Sequence, residues 1–355
     1  MNTNSRYNRQ INLPQVGSAG QQKLKQAKVL VIGAGGLGCA VLPYLVSAGI
    51  GKIGIIDGDK VDETNLQRQI LYSESSIGNS KVNEAKAKLE SLNSTIIIES
   101  YNEFLNPKNA RAVIKNYDII VDATDTISIR YLINDACVLE NKPFVYGSVY
   151  RFEGQISVFN YKNGPTYRCL FKDEKAIVQN CEEVGVLGTT VGFVGMLQAN
   201  EVVKIILEIG EVLAGKLLIY NALTNDQNIF QFVKDANSYI DEKFYESEYL
   251  NDKIIEIPAQ EAIAADALFL DVREWHETPK LNFDNSIQIP LSVLKNELGK
   301  LNKEENILVY CQSGKRSLQA LKILNKNQFK NIRSIKGGAI AINEIISNEK
   351  EKSIY

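Results

Sequence analysis

The residues equipped for chemistry fall into a few short clusters. Histidine is nearly absent (only His276), so the work falls to Arg, Lys, Asp and Cys. The first cluster is Gly33-Ala34-Gly35-Gly36-Leu37-Gly38, directly after the apolar run Val29–Ile32. Glycines at this spacing let the backbone approach a phosphate at a helix N-terminus, where free N–H groups and the helix dipole favour negative charge. Asp57-Gly58-Asp59 follows at the distance where an acid reaches a ribose hydroxyl. Taken alone, these two features say nucleotide and leave an NAD-binding unit open. Three polar clusters come next: Asn65-Leu66-Gln67-Arg68-Gln69, Gly78-Asn79-Ser80-Lys81 and Asp122-Ala123-Thr124-Asp125-Thr126. Far downstream stands Cys311-Gln312-Ser313-Gly314-Lys315-Arg316-Ser317. A cysteine between a strand end and a helix start sits among converging N–H groups, and with Arg316 close by that setting stabilises a thiolate or persulfide anion.

The elements that must hold these clusters are legible as alternating strands and helices. Strand 28–32, the glycine turn, helix 37–48 and strand 52–56 make one βαβ unit. A helix from Lys81 to Leu92, strand 96–99, helix 107–115 and strand 119–121 continue the alternation. This predicts a largely parallel sheet covered on both faces. Acidic or polar tips on consecutive strands then crowd its C-terminal edge, where open α/β folds bind ligands. A helix to about Glu140 follows Arg130. Phe144–Val149 and Gly154–Phe159 read as an antiparallel pair, 160–190 as a long loop with two cysteines, and Thr190–Ile209 as a long apolar helix. Short strands follow at 217–220 and 229–233. Residues 235–251 turn polar and charged, as a linker does. A second α/β pattern starts at Ile254, with buried-type strands at 268–272 and 307–310.

Composition narrows the classes. Forty basic against forty-two acidic side chains give a net charge of −2, so no global field recruits nucleic acid or an anionic membrane. The N-terminus lacks an apolar signal core and the apolar runs read as too short for a membrane span. A cytoplasmic protein is expected. Five cysteines at scattered spacings, none in Cys-x-x-Cys, do not read as a disulfide framework.

In their order, Arg6-Tyr7-x-Arg9-Gln10, the glycine loop, Asp57-x-Asp59, Asn65–Gln69, Gly78-x-x-Lys81 and Asp122–Asp125 resemble the MoeB/ThiF family of ubiquitin-activating-type enzymes. These adenylate the C-terminal glycine of a small ubiquitin-like sulfur carrier. The resemblance covers roughly residues 5–235 and displaces the NAD reading. It implies that Gly33, Gly35, Gly36 and Gly38 cradle ATP, that Asp57 holds its ribose, that Asn65, Arg68 and Lys81 neutralise its phosphates, and that Asp59 and Gln69 belong to the same nucleotide site. Asp125 would hold Mg²⁺, with Thr126 beside it. Arg9 would reach the phosphates of a neighbouring subunit in a homodimer. Adenylation brings anions together and expels pyrophosphate, which calls for cations and a metal rather than a general base. Two departures stand out. Thr126 replaces the family's usual Asn. Many relatives carry two Cys-x-x-Cys pairs for zinc, whereas here only Cys169 remains, in Thr166-Tyr167-Arg168-Cys169, so no zinc is expected and Cys169 reads as a buried apolar residue. Cys181 matches the family's mobile-loop cysteine, linked there to thioester or acyl-disulfide chemistry.

Residues 252–355 resemble a rhodanese-like sulfurtransferase domain, through Asp271-Val272-Arg273-Glu274-Trp275-His276, the Cys311–Ser317 loop and Gly337-Gly338. A phosphatase loop shares that geometry but normally has His before the Cys, where this chain has Tyr310. The expectation is an α/β protein in two parts: a Rossmann-like adenylating domain, 1–235, with a mixed, mostly parallel sheet, then a linker, 236–251, and a smaller α/β rhodanese-like domain, 252–355. Its function would be ATP-dependent adenylation of a carrier ending in Gly-Gly, of the molybdopterin-synthase small-subunit type, followed by sulfur transfer from a Cys311 persulfide to leave a thiocarboxylate. Arg9, Arg68, Lys81, Asp125, Cys181, Cys311 and Arg316 are the candidate catalytic residues. A cysteine desulfurase or thiosulfate would supply the sulfur. Alternatives are a thiamine-pathway or other carrier, adenylation alone with a degenerate rhodanese module, and a non-catalytic binding protein.

Overall fold

The computed structural model describes residues 3–172, 185–236, 238–250 and 256–352. It divides into two compact units, Met1–Tyr245 and Glu246–Tyr355.

The first unit opens with α1 (Thr3–Ile11) and α2 (Gly17–Gln26). β1 (Lys28–Ile32), α3 (Gly36–Ala48) and β2 (Lys52–Ile56) form the expected βαβ unit. β1 is a strand because Val29, Leu30, Val31 and Ile32 are all buried, so both faces of the run are apolar. Gly33 ends it with φ +99°, and a Cβ there would lie 2.6 Å from the Ala123 carbonyl oxygen, so only glycine makes this turn. Then come α4 (Lys81–Leu92), β3 (Ile97–Tyr101), α5 (Ala110–Ile114), β4 (Ile119–Asp122) and α6 (Ile127–Leu139). An antiparallel pair, β5 (Phe144–Tyr150) and β6 (Glu153–Phe159), precedes the short α7 (Tyr167–Leu170), the long α8 (Gly188–Leu207), β7 (Lys216–Asn221), β8 (Gln227–Gln231) and α9 (Glu242–Tyr245).

The eight strands lie in the order β3-β2-β1-β4-β5-β6-β7-β8. Pairings from β3 to β5 are parallel and those from β5 to β8 antiparallel, the mixed, mostly parallel sheet the alternation implied. β1 and β4 are neighbours although β2 and β3 lie between them in sequence. Strand order therefore reverses there, opening a crevice at the carboxyl ends of β1 and β4. α3 and α8 pack on one another, with Leu37, Val41, Val191, Val194 and Ala199 in one apolar core.

Element ends differ from expectation where pairing or capping outweighs the apolar run. β3 runs two residues further, to Tyr101, because the ladder with β2 continues to Ile56. α5 begins at Ala110 rather than 107, because the Asn106 side chain accepts the N–H groups of Lys108 and Asn109 in a turn. β8 starts two residues early, set by its pairing with β7. α8 is, by length and composition, apolar enough to cross a membrane, contrary to expectation. It is a core helix, with Thr190, Val194, Gln198 and Val202 buried and Glu201 paired with Lys204. The polar stretch after residue 235 contains α9, whose Tyr245 is buried and donates to the Pro107 carbonyl.

The second unit contains β9 (Glu256–Ile257), α10 (Ala259–Ile263), β10 (Leu268–Asp271), β11 (Ser286–Gln288), β12 (Ile307–Tyr310), α11 (Lys315–Lys326), β13 (Ile332–Ile335) and α12 (Gly338–Lys352). Its five strands are all parallel, in the order β11-β10-β12-β13-β9. Every residue of the central β12 is buried, and apolar clusters lie on both faces of the sheet.

Candidate active sites

The crevice at the ends of β1 and β4 is a cleft of about 360 Å³. It gathers residues from five sequence clusters: Gly33, Gly35 and Gly36; Asp57 and Asp59; Arg68 and Gln69; Lys81; Asp125 and Thr126. Each is delivered by a loop or helix start at the same edge of the sheet. Asp57 holds the glycine loop in place. Its Oδ2 accepts the Ala34 N–H at 2.7 Å and its Oδ1 the Asp59 N–H at 2.8 Å. Tyr72 holds the same loop from behind, donating to the Ala34 carbonyl at 2.7 Å.

Lys81 opens α4 with only 7% of its side chain exposed, and its Nζ lies 3.1 Å from Asp59 Oδ2. Arg68 Nη1 donates to the Thr64 carbonyl at 3.1 Å. Asp125 is exposed at the rim and accepts a hydrogen bond from the Thr126 hydroxyl at 3.2 Å. Gln69 is 3% exposed, and its Oε1 is buried without a hydrogen-bond partner among the described residues. A buried acceptor left open in a cleft wall is a place for a ligand donor.

Three residues of the anticipated site do not line this cleft. Gly38 packs beneath the loop, where a Cβ would lie 2.2 Å from the Gly33 oxygen, so its role is close packing. Asn65 points its amide at the Thr64 hydroxyl. Arg9 stands exposed on α1. Conversely, Arg130 and Arg151 line the cleft and sequence reasoning passed over both. Arg130 is buried over the Tyr146 ring, 3.5 Å from the buried Asp122 carboxylate, and donates to the Thr124 carbonyl. Burial pushes the Asp122 carboxyl above its ordinary range, against the pull of Arg130 and the Thr124 hydrogen bonds. Arg130 lies one turn into α6 on the side facing the sheet, and that helical phase was the available signal. Arg151 sits in the two-residue turn between β5 and β6 with φ +55°, and nothing in its local sequence points toward the cleft.

Cys169 is buried, but its surroundings are polar rather than apolar. Its Sγ accepts the backbone N–H groups of Thr166 at 3.4 Å and Asp235 at 3.3 Å, and it pairs with the Thr166 hydroxyl. Burial raises the thiol, but these contacts and one from Ser238 outweigh it and hold it below its ordinary value. Among the described residues the surroundings offer one sulfur and donors already turned toward it, which does not fit a tetrahedral zinc site. Cys181 lies outside the described residues.

In the second unit Cys311 directly follows β12 and is 1% exposed. The N–H groups of Gly314 and Arg316 both point at its Sγ, at 3.2 Å each, so the loop is an anion-binding nest. Gly338 closes it with φ +58°. A Cβ there would lie 2.1 Å from the Cys311 oxygen, and the Ala339 N–H donates to that same oxygen. The buried Arg273 holds Asp271 in a bidentate pair and donates to Gln312 in the loop at 3.2 Å. Arg316 is gripped by Glu277 through two contacts of 2.5 and 2.6 Å. His276 is exposed beside it.

A nucleotide cleft at the switch point of one sheet and a cysteine nest on another define a two-part α/β protein with nucleotidyl-transfer and sulfur-transfer architecture. Residues 7–240 match the ThiF family and 258–344 the rhodanese-like domain, and the chain belongs to the ThiF family. It is 39% identical, over 98% of its length and 94% of the relative's, to a probable molybdopterin-synthase adenylyltransferase of Porphyra purpurea. It is 36% identical to the probable adenylyltransferase/sulfurtransferase MoeZ of Mycobacterium tuberculosis, over 95% of this chain and 92% of that one. Among solved structures, E. coli MccB with AMPCPP and MccA superposes with a TM-score of 0.58 at 25% identity, over 67% of this chain and 75% of that one.

The Arg316 pair gives the second unit a defined acid response. The hydrogen bonds from Arg316 hold the Glu277 carboxyl down at about 2, against an ordinary value of 4.5. The pair therefore contributes fully above about pH 4.5, and the contribution is lost as pH falls through about 2. Because Arg316 is one-third exposed, screening limits the effect to about 1 kcal/mol. Denaturant unfolding should find Glu277→Gln less stable than the parent at pH 6 by about that amount. The gap should close toward pH 2, and a gap independent of pH would contradict the assignment.

Proposed function

We propose that this chain activates the C-terminal glycine of a ubiquitin-like sulfur carrier as an acyl-adenylate and then converts it to a thiocarboxylate with sulfur carried on Cys311. The observation that carries the reading is the convergence of the glycine loop, Arg68, Lys81 and Asp125 on one cleft. The carrier carboxylate attacks the α-phosphorus of ATP, the bond to the β-phosphate oxygen breaks, and pyrophosphate leaves. The glycine loop receives phosphate oxygens on its N–H groups, while Lys81 and Arg68 neutralise the charge that builds on the leaving group. Asp125, an exposed carboxylate at the rim, would hold Mg²⁺, which would supply positive charge beside the phosphates. Thr126 places a hydroxyl beside that carboxylate.

The Cys311 persulfide, R–S–S⁻, then attacks the acyl carbon and AMP departs, leaving an acyl disulfide. Attack by the Cys181 thiolate on the Cys311-side sulfur releases the carrier thiocarboxylate and joins the two cysteines in a disulfide. Arg9, remote from its own cleft, is read as serving the partner in a homodimer. The carrier is read as the molybdopterin-synthase type, in keeping with the name of the Porphyra relative. A cytoplasmic location fits its five scattered cysteines.

Arg68→Ala or Asp125→Ala should lower carrier-dependent ATP–pyrophosphate exchange by about 100-fold or more. Cys311→Ser should keep exchange and lose cyanolysis of its persulfide. Near-normal exchange in both cleft variants removes the assignment. The residues around Cys169 support a zinc-free protein: elemental analysis should find no stoichiometric zinc, and one tightly held zinc per chain would refute this.

A further inference from the structure

Sulfur donors to a cysteine nest come in two charge classes. Thiosulfate is a dianion, and its approach to a thiolate needs a cation with charge to spare. A cysteine persulfide on a protein carries at most one charge at the reacting group and is positioned by the protein around it. Among the described side chains the loop touches two arginines, and each is already balanced. Arg273 is fully buried against Asp271. Arg316, inside the loop, has both terminal nitrogens on the Glu277 carboxylate. Glu277 is itself fixed, since its Oε1 also accepts the Glu274 N–H at 2.8 Å. Among the described groups, what remains for the sulfur is the pair of backbone N–H groups from Gly314 and Arg316, enough for one anionic sulfur atom.

We propose that Glu277 is a donor-specificity residue: by occupying Arg316 it denies the Cys311 nest the cation that thiosulfate requires and reserves it for a cysteine persulfide borne by a protein. This rests on the sulfurtransferase reading above. With such a donor, the Cys311 thiolate attacks the outer sulfur of R–S–SH, the donor S–S bond breaks, and the donor thiolate leaves with the electron pair. With thiosulfate the same attack expels sulfite, so the two donors differ in charge and not in the bond made.

Glu277→Gln keeps the side-chain shape and an oxygen for the Glu274 N–H, but removes the charge. In the full-length protein, apparent KM values for thiosulfate and for the persulfide of N-acetylcysteine methyl ester, which carries at most the single charge of the persulfide group, should be compared in the parent, Glu277→Gln and Glu277→Gln/Arg316→Ala. The ratio of thiosulfate KM to persulfide KM should fall by about tenfold or more in the single variant, with the thiosulfate kcat moving by less than about threefold, and return to the parental ratio in the double variant. A purely structural role would lower kcat for both donors together. An unchanged or raised ratio, or a gain that survives removal of Arg316, overturns the proposal while leaving Cys311 as the sulfur carrier. If mass spectrometry finds no added sulfur on Cys311 with either donor in any of the proteins, the proposal and the sulfurtransferase reading fall together.

Discussion

Holding anions where parallel strands end is the constraint the rest of the molecule serves. In the first unit β1 and β4 run parallel, and their carboxyl ends open a crevice that no strand crosses. In the second unit β12 runs parallel between β10 and β13 and leads directly into Cys311. At both places a helix begins immediately after the turn, so backbone N–H groups and the positive end of a dipole face the spot where negative charge gathers. Phosphates and persulfide sulfur make the same demand on a backbone, and one piece of geometry answers both.

Cations are rationed around these nests. Lys81 is nearly buried and bound to Asp59, Arg130 lies against Asp122, and Arg316 is held by Glu277. Each pair fixes the direction of a charge at the cost of part of its strength. In the nucleotide cleft the partner of Lys81, Asp59, is half-exposed, and polyanionic phosphates can outcompete it. At Cys311 a single anionic sulfur competes far less well with a bidentate carboxylate. The two sites thus use similar ion pairs to different ends.

Most of the scaffold was readable in advance because its signals are local. Alternating apolar runs predicted the strands, and the glycines, Lys81, Asp125 and Cys311 stand at strand or helix ends where spacing alone places them. Arg130 was missed because its relevance depends on helical phase against a sheet, and Arg151 because a hairpin turn carries it to the cleft. Asn65 and Gly38 were grouped with the nucleotide by motif, yet they lie in a local turn and under the loop. Cys169 could not be judged from sequence. Whether a lone buried thiol is apolar depends on which N–H groups face it, and Asp235 arrives from 66 residues away.

The central claim is that adenylation in one unit and sulfur carriage in the other act on one carrier. The most direct measurement is the mass of a Gly-Gly-ended ubiquitin-like carrier after incubation with the full-length protein, ATP, Mg²⁺ and a persulfide donor. The account predicts a gain corresponding to replacement of one carboxyl oxygen by sulfur, dependent on ATP and absent with Cys311→Ser. A carrier that is adenylated but never gains sulfur, or one that gains it without Cys311, would contradict it.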